Sequence, residues 1–280
     1  MSQPSALVSV NWLHQHLQDE NLVLLDASME KVVGIKPLVY SQFSCIPGAI
    51  KCDLEGLFHH AQATQPNTMP SQTQFTEQAQ KLGINTDSTV VIYDNQGVYA
   101  SPRAWWMFKV MGVQNVFILN GGLPHWLKQK FSTSPKYRTE QLGNIVGKLQ
   151  GELLQNSQQV LNAIHDSQSS IFDARSNTRF LGESPEPRAG VRSGHIPSSV
   201  NLPFAQLLSE GAFKDQSTLK AVFNELPINP NQKLIFSCGS GITACIVLVA
   251  AYEAGFKNLS LYDGSWSEWG SDETLPLETR

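Results

Sequence analysis

Leu234-Ile235-Phe236-Ser237-Cys238-Gly239-Ser240-Gly241-Ile242-Thr243-Ala244 is the stretch from which the rest of the chain is read. An apolar run closes on a polar residue and a cysteine. Glycines follow at 239 and 241, and then a long apolar segment runs from Cys245 to Ala251. That order predicts a buried strand, a tight loop and a helix. The two glycines let the loop curl so that successive backbone N–H groups point inward, and the helix start adds its own unbonded N–H groups and a positive dipole end. A thiol at the mouth of such a cradle ionises readily, because its anion is the stabilised form. Cys238 is therefore the candidate nucleophile. The competing reading, a small buried hydrophobe at a strand end, leaves two flexible positions after a core strand without a purpose.

Moving outward, the same kinds of signal recur in both halves of the chain. Val10, Leu13 and Leu17 have helical spacing behind Ser9, a plausible N-cap. Leu22-Val23-Leu24-Leu25-Asp26 and Val90-Val91-Ile92-Tyr93-Asp94 are continuous apolar runs of the kind buried on both faces of a sheet. Helical spacing covers Phe75 to Leu82 and Arg103 to Met111, stopped by Gly83 and Gly112, while 56–74 reads as a polar loop. Further on, Ile171-Phe172-Asp173-Ala174-Arg175 echoes Leu24-Leu25-Asp26-Ala27-Ser28, and His195-Ile196-Pro197 echoes Cys45-Ile46-Pro47. Tyr262-Asp263-Gly264-Ser265 to Trp269 echoes Leu119-Asn120-Gly121-Gly122 to Trp126. The three echoes keep nearly one spacing, about 143 to 150 positions, which indicates a tandem duplication joined somewhere in 132–157. Strand-like and helix-like segments alternate in each half, so each is expected to be an α/β domain with a mostly parallel sheet flanked by helices. The expected division is 1–140, a linker at 141–157, and a catalytic domain at 158–280. Ligands in such sheets sit at the C-terminal ends of strands, where Cys238 stands. The matching place in the first half, Asp94-Asn95, has no cysteine, so one half carries the nucleophile and the other supports it.

Composition narrows the function. The 280 residues fit about two domains. With 41% hydrophobic and 16% charged residues the chain can bury a real core, and a net charge of −4 without a basic block argues against nucleic acid. No apolar run is long enough to span a bilayer, and Met1-Ser2-Gln3-Pro4-Ser5-Ala6 has no secretory pattern. Cys45, Cys52, Cys238 and Cys245 have no metal-ligand spacing, and reduced thiols in the cytoplasm are expected. No metal or cofactor is expected.

Taken together these residues resemble the two-domain rhodanese-type sulfurtransferases over essentially the whole chain, and within them the 3-mercaptopyruvate branch. The resemblance rests on Cys238 to Ala244, Asp173-Ala174-Arg175, Arg179-Phe180, Pro185-Glu186-Pro187-Arg188 and Gly194-His195-Ile196-Pro197. It also rests on Arg103-Ala104-Trp105-Trp106 and Asp263-Gly264-Ser265-Trp266. It implies that Cys238 takes sulfur from a donor as a persulfide held by the loop of Gly239, Gly241, Ile242 and Thr243. A thiol such as thioredoxin or glutathione, or cyanide, then removes it. It implies that Arg179 and Arg188 hold the donor's carboxylate and carbonyl, chemistry that suits a planar guanidinium. Ser240 is implied to bond the donor or relay a proton, with an acid at Glu55, or less well Asp53. The histidine of that relay falls near Asn67-Thr68-Met69-Pro70, where there is none; His59 and His60 do not align. Thiosulfate-specific relatives carry basic residues where Gly239 and Ser240 stand, so a thiosulfate sulfurtransferase is the alternative enzyme, and a persulfide carrier the alternative outside enzymes. Dual-specificity phosphatases share the architecture but need an arginine at the position of Ala244, which excludes them. His195, matched by Cys45, reads as structural, as do Trp105, Trp106, Trp266 and Trp269.

Overall fold

The computed structural model describes residues 4–60, 62–139 and 141–280. The first half runs β1 (Leu7–Val8), α1 (Val10–His16), β2 (Leu22–Asp26), β3 (Ile50–Lys51), α2 (Gln72–Lys81), β4 (Thr89–Tyr93), α3 (Ser101–Val110), β5 (Val116–Leu119) and α4 (Gly122–Lys128). Its strands lie in the order β1-β5-β4-β2-β3 and every neighbouring pair is parallel. Strand alternation sends Leu22 and Leu24 to the face covered by α1 and α4, and Val23 and Leu25 to the face covered by α2 and α3. All five residues of β2 are buried, as a run without polar alternation requires.

The second half repeats this plan with β6 (Leu154–Gln155), α5 (Ser157–Ala163), β7 (Ser169–Asp173), α6 (Asn177–Phe180) and β8 (Val200–Asn201). A hairpin of β9 (Leu208–Ser209) and β10 (Ala212–Phe213) follows, then α7 (Gln216–Asn224), β11 (Lys233–Ser237), α8 (Ala244–Ala254), β12 (Leu259–Tyr262) and α9 (Ser265–Trp269). The sheet order β6-β12-β11-β7-β8 is the first half's order, again all parallel. The repeat extends to details. Cys45 and His195 each form an isolated antiparallel bridge to the segment trailing their own half, at Ser134 and Glu278. Trp126 and Trp269 fill corresponding core positions. His195 is buried, stacked on Phe180 and bonded through Nδ1 to the Phe180 carbonyl (2.7 Å), a structural place.

Helix α8 is apolar on nearly all sides because it is covered on nearly all sides: its own sheet lies against one flank and α3 against another. Trp105 meets Tyr252 edge-on at 5.2 Å across that contact. The two halves thus share one core, and the loop leading into α8 lies at their junction.

Two differences from the sequence reading have local causes. Helix α2 starts at Gln72, ahead of Phe75, because Ser71 caps it by accepting from the Gln74 N–H (3.2 Å). Helix α3 starts at Ser101, with Pro102 in its first turn. Within 141–157, Gly143, Lys148 and Gln150 bond back to Gln80, Met111 and Val110 of the first half. Meanwhile β6 and the start of α5 already belong to the second half. The β9–β10 hairpin has no counterpart in the sequence reading. It reaches across to the first half, where the Phe213 N–H donates to Asn120 Oδ1 (2.8 Å) and Lys128 pairs with Glu210 (2.8 Å). Gly97, at φ +102°, passes so close under Gly211 that a Cβ would overlap its carbonyl. No helix among the described residues is long and apolar enough to cross a membrane.

Candidate active site

Cys238 directly follows β11, and Asp94 directly follows β4, the strand in the same central place of the other sheet. Both open a loop that runs into a buried helix. In the first half the loop is closed on itself: Asp94 Oδ2 accepts from the N–H groups of Tyr99 (2.9 Å), Ala100 (3.0 Å) and Ser101 (2.9 Å) and from the Ser101 hydroxyl (2.7 Å), and Oδ1 accepts from the Gln96 N–H (3.0 Å). In the second half, the Cys238 N–H reaches Ser265 Oγ (3.3 Å), and the amides from Gly239 to Ala244 make no hydrogen bond to other described residues. The loop is anchored from behind, since the Cys238 and Gly239 carbonyls accept from the Trp266 and Ser267 N–H groups (both 2.9 Å).

A cavity of about 530 Å³ opens above this loop at the junction of the halves. Cys238, Gly239, Ser240, Ile242, Thr243, Arg179, Arg188 and Glu55 all line it. Cys238 is only 2% exposed, so access to its sulfur runs through this cavity. Gly241 departs from the expected donor-binding group: it is buried at φ +79° and faces Arg103 and the Asp263 carbonyl instead of the cavity. A side chain there would crowd Arg103 Nη1 and strain the backbone.

Charge is supplied from outside the loop. Arg179 lies beside Gly239, its Nη2 3.2 Å from where a Cβ would be. Glu186 holds it in two-point fashion, accepting from Arg179 Nη2 (2.5 Å) and Nε (3.1 Å). Arg175 also donates to Glu186 (2.9 Å), is bonded to Asp173 and to the Gly194 carbonyl, and stacks 4.4 Å over the Trp266 ring. Trp266 is therefore part of the support for these arginines as well as of the core. Arg188 is exposed on the cavity wall. From the first half, Arg103 passes beneath the loop, pairs with Asp263 (2.8 Å) and bonds the Asn67 carbonyl; its Nη1 has no hydrogen-bond partner among the described residues. Burial pushes the neighbouring Cys245 thiol up to about 12, although Arg103 pulls the other way, so Cys245 stays protonated.

The relay implied by the resemblance is not assembled. The residue on Ser240 is Asn67, whose Nδ2 lies 3.1 Å from Ser240 Oγ and 3.2 Å from the Ser240 carbonyl. Glu55 lies on the cavity wall, where its Oε2 accepts from the Glu30 N–H (3.2 Å). Asp53 accepts from the Gly56 N–H (2.9 Å). His59 and His60 lie apart from this contact: the His59 carbonyl accepts from Gln74 Nε2 (2.6 Å) while its Nδ1 is buried without a hydrogen-bond partner among the described residues, and His60 Nδ1 accepts from the Gln62 N–H (3.4 Å).

Comparison with known proteins agrees with the duplicated architecture. The rhodanese-like domain model matches residues 9–129 and again 156–272. The chain belongs to the rhodanese-like family. This rhodanese-like chain is a sulfurtransferase, 35% identical over 273 residues to the 3-mercaptopyruvate sulfurtransferase of Escherichia coli (strain K12), covering 97% of each chain. It is also 36% identical over 285 residues to the thiosulfate sulfurtransferase of Rattus norvegicus, covering 98% of this chain and 94% of that one. The crystal structure of SseA from Escherichia coli, described as a 3-mercaptopyruvate sulfotransferase, superposes with a TM-score of 0.82 at 33% identity. The match covers 94% of this chain and 99% of that one.

Three members of this rhodanese-like site escape a reading of the sequence in isolation. Glu186 sits in a Pro-Glu-Pro turn that looks solvated, and only the fold shows it gripping two arginines. Arg103 and Asn67 come from the other half. The echo between halves offered one usable signal: set Asp94 on Cys238, and an acid appears where the candidate nucleophile stands.

Proposed function

We propose that this sulfurtransferase moves a sulfur atom from 3-mercaptopyruvate, through a persulfide on Cys238, to a thiol or cyanide acceptor, releasing pyruvate. The observation that carries the persulfide is Asp94. An aspartate oxygen stands two bonds beyond Cβ, as the outer sulfur of a cysteine persulfide does. In the first half that atom is held by three successive loop amides at 2.9 to 3.0 Å. The same backbone around Cys238 offers amides without other acceptors, which supports a charged outer sulfur held in the same way.

In the first half-reaction the Cys238 thiolate attacks the thiol sulfur of mercaptopyruvate. The sulfur–sulfur bond forms, the carbon–sulfur bond breaks, and its electron pair leaves on carbon as the enolate of pyruvate. The thiol proton ends on that carbon, giving pyruvate and an anionic persulfide. Arg179, beside Gly239, and Arg188, on the open wall, face the donor's carboxylate and ketone. Ser240 bonds the carbonyl oxygen, where charge grows as the enolate departs. In the second half-reaction thioredoxin, glutathione, another thiol or cyanide attacks the outer sulfur and restores the thiolate.

Thiosulfate is the alternative donor, favoured by one observation: Arg179 brings a cation to Gly239, where a sulfonate would lie. Glu186 offsets most of that charge, which leaves the compact dianion the poorer fit. Steady-state kinetics with both donors tests the reading. A kcat/KM at least about tenfold higher for mercaptopyruvate is expected, the worth of one charge-assisted contact. Equal or better use of thiosulfate overturns it in favour of the alternative.

A further inference from the structure

The contact between Asn67 and Ser240 has a direction. One nitrogen, Asn67 Nδ2, reaches both the Ser240 carbonyl oxygen (3.2 Å) and Ser240 Oγ (3.1 Å). A backbone carbonyl only accepts, so the nitrogen of the amide, and not its oxygen, faces Ser240. The hydroxyl then accepts from Asn67, and its own proton is left for another partner. Ser240 lines the cavity, and that proton has the cavity to point into.

The backbone of Asn67 is built for this place. Its φ is +58°, a left-handed conformation that asparagine tolerates better than most residues. Its carbonyl accepts from Arg103, Arg103 is paired with Asp263, and Asp263 Oδ2 accepts from the Met69 N–H (2.8 Å). The segment 67–69 of the first half is therefore fixed on both sides against the catalytic loop of the second. The charged groups facing it are Arg103 and Asp263; Glu55, Arg179 and Cys238 line the cavity beyond.

We infer that Asn67 is a positioning residue that sets the polarity of Ser240, fixing its hydroxyl as a hydrogen-bond donor toward the departing enolate oxygen of the sulfur donor. The inference rests on the proposed use of mercaptopyruvate. A histidine or carboxylate at this point would accept the serine proton; an amide nitrogen cannot, so Ser240 acts without a titrating base behind it. The role is specific to the donor's chemistry. Pyruvate leaves as an enolate whose oxygen needs a hydrogen bond, whereas thiosulfate releases sulfite, a stable anion that needs none.

The test is single-turnover loading of Cys238, followed by the mass of the protein, with each donor in turn. Asn67→Gly removes the amide and still allows a positive φ, so it separates the side chain from the backbone requirement. It should slow loading from mercaptopyruvate about ten- to hundredfold, while loading from thiosulfate and discharge to cyanide change less than about threefold. Asn67→Asp, ionised, accepts the serine proton and reverses the polarity; protonated, it can donate as the amide does. Its loading rate relative to wild type should therefore rise severalfold as the pH falls from about 7.5 to about 5. Equal slowing with both donors, or no slowing, overturns the role of Asn67 while leaving the donor assignment standing. So does a flat ratio of Asn67→Asp to wild type across that range. A wild-type chain that takes no sulfur from mercaptopyruvate overturns the donor assignment and this role with it.

Discussion

Arg103 of the first half and Asp263 of the second form an ion pair at 2.8 Å directly beneath the loop that follows Cys238, with the arginine side chain 5% exposed. The pair joins the halves and at the same time holds Asn67 by its carbonyl and faces Gly241, the neighbour of Ser240. Removing one member of such a pair strands the other charge. Arg103→Met should lower the unfolding free energy by about 3–5 kcal/mol in denaturant titration. Arg103→Met combined with Asp263→Asn should lose less than the sum of the single changes. Additive losses would mean that the two residues act separately.

The arginines differ in how they are held, so they should differ in kinetics. Arg179→Ala and Arg188→Ala should each reduce kcat/KM for mercaptopyruvate more than for thiosulfate. Glu186→Gln should mimic part of the Arg179 defect, because the two-point grip at 2.5 and 3.1 Å is weakened, and it frees charge for a dianion. Its ratio of thiosulfate to mercaptopyruvate use should therefore rise. An unchanged ratio would remove Glu186 from donor choice.

Incubation with donor should add one sulfur's mass to the peptide carrying Cys238, and Cys238→Ser should abolish transfer while the fold survives. Cys245 is a built-in control. Burial holds its thiol near 12 and none of its surface is accessible, so below about pH 9 it should resist alkylation in the native protein. Sulfur or label arriving first on Cys45, Cys52 or Cys245 would contradict the assignment.

Asp94 should matter for stability and not for turnover. Asp94→Asn replaces an acceptor by a donor among amides that need acceptors. The expected loss is about 1–3 kcal/mol in unfolding free energy, with Cys238 loading unchanged. Slower loading at full stability would show that the first-half loop takes part in chemistry.

These contacts mark how far the sequence could be read. The buried strand, glycine loop and apolar helix around Cys238 were legible because each depends on neighbours in the chain. The duplication was legible because both halves kept the same punctuation. Asn67 lies 173 positions from Ser240, and no local pattern announces that an amide will stand there. Glu186 was hidden by its prolines, which resemble any exposed turn. The apolar run from Cys245 to Ala251 does not say what covers it; the structure shows that α3, which supplies Arg103, packs against it.

Glu253 gives a pH test of how the chain's start is fastened. Its carboxylate accepts from the Ala6 N–H (2.6 Å) and the Ser5 hydroxyl (2.9 Å), joining the entry to β1 to the end of α8. Burial raises its pKa above the ordinary 4.5, and those hydrogen bonds only partly oppose the shift. The folded state therefore holds this proton more tightly than the unfolded chain. The stability linked to that proton is present in full below 4.5 and is lost as the pH rises through the folded value. Glu253→Gln cannot titrate, so its melting temperature should gain on the wild type as the pH rises across that window. A constant difference would mean that the carboxyl does not ionise differently on folding.

The hairpin laid across Gly97 closes the first half to a second centre. A single change of Asp94 to cysteine would not create one, because the Gly211 carbonyl covers the loop and Gly97 leaves no room beneath it. A second centre there would also need the hairpin of the other half to withdraw, so two loops that start from the same place in their sheets are set apart by what lies over them.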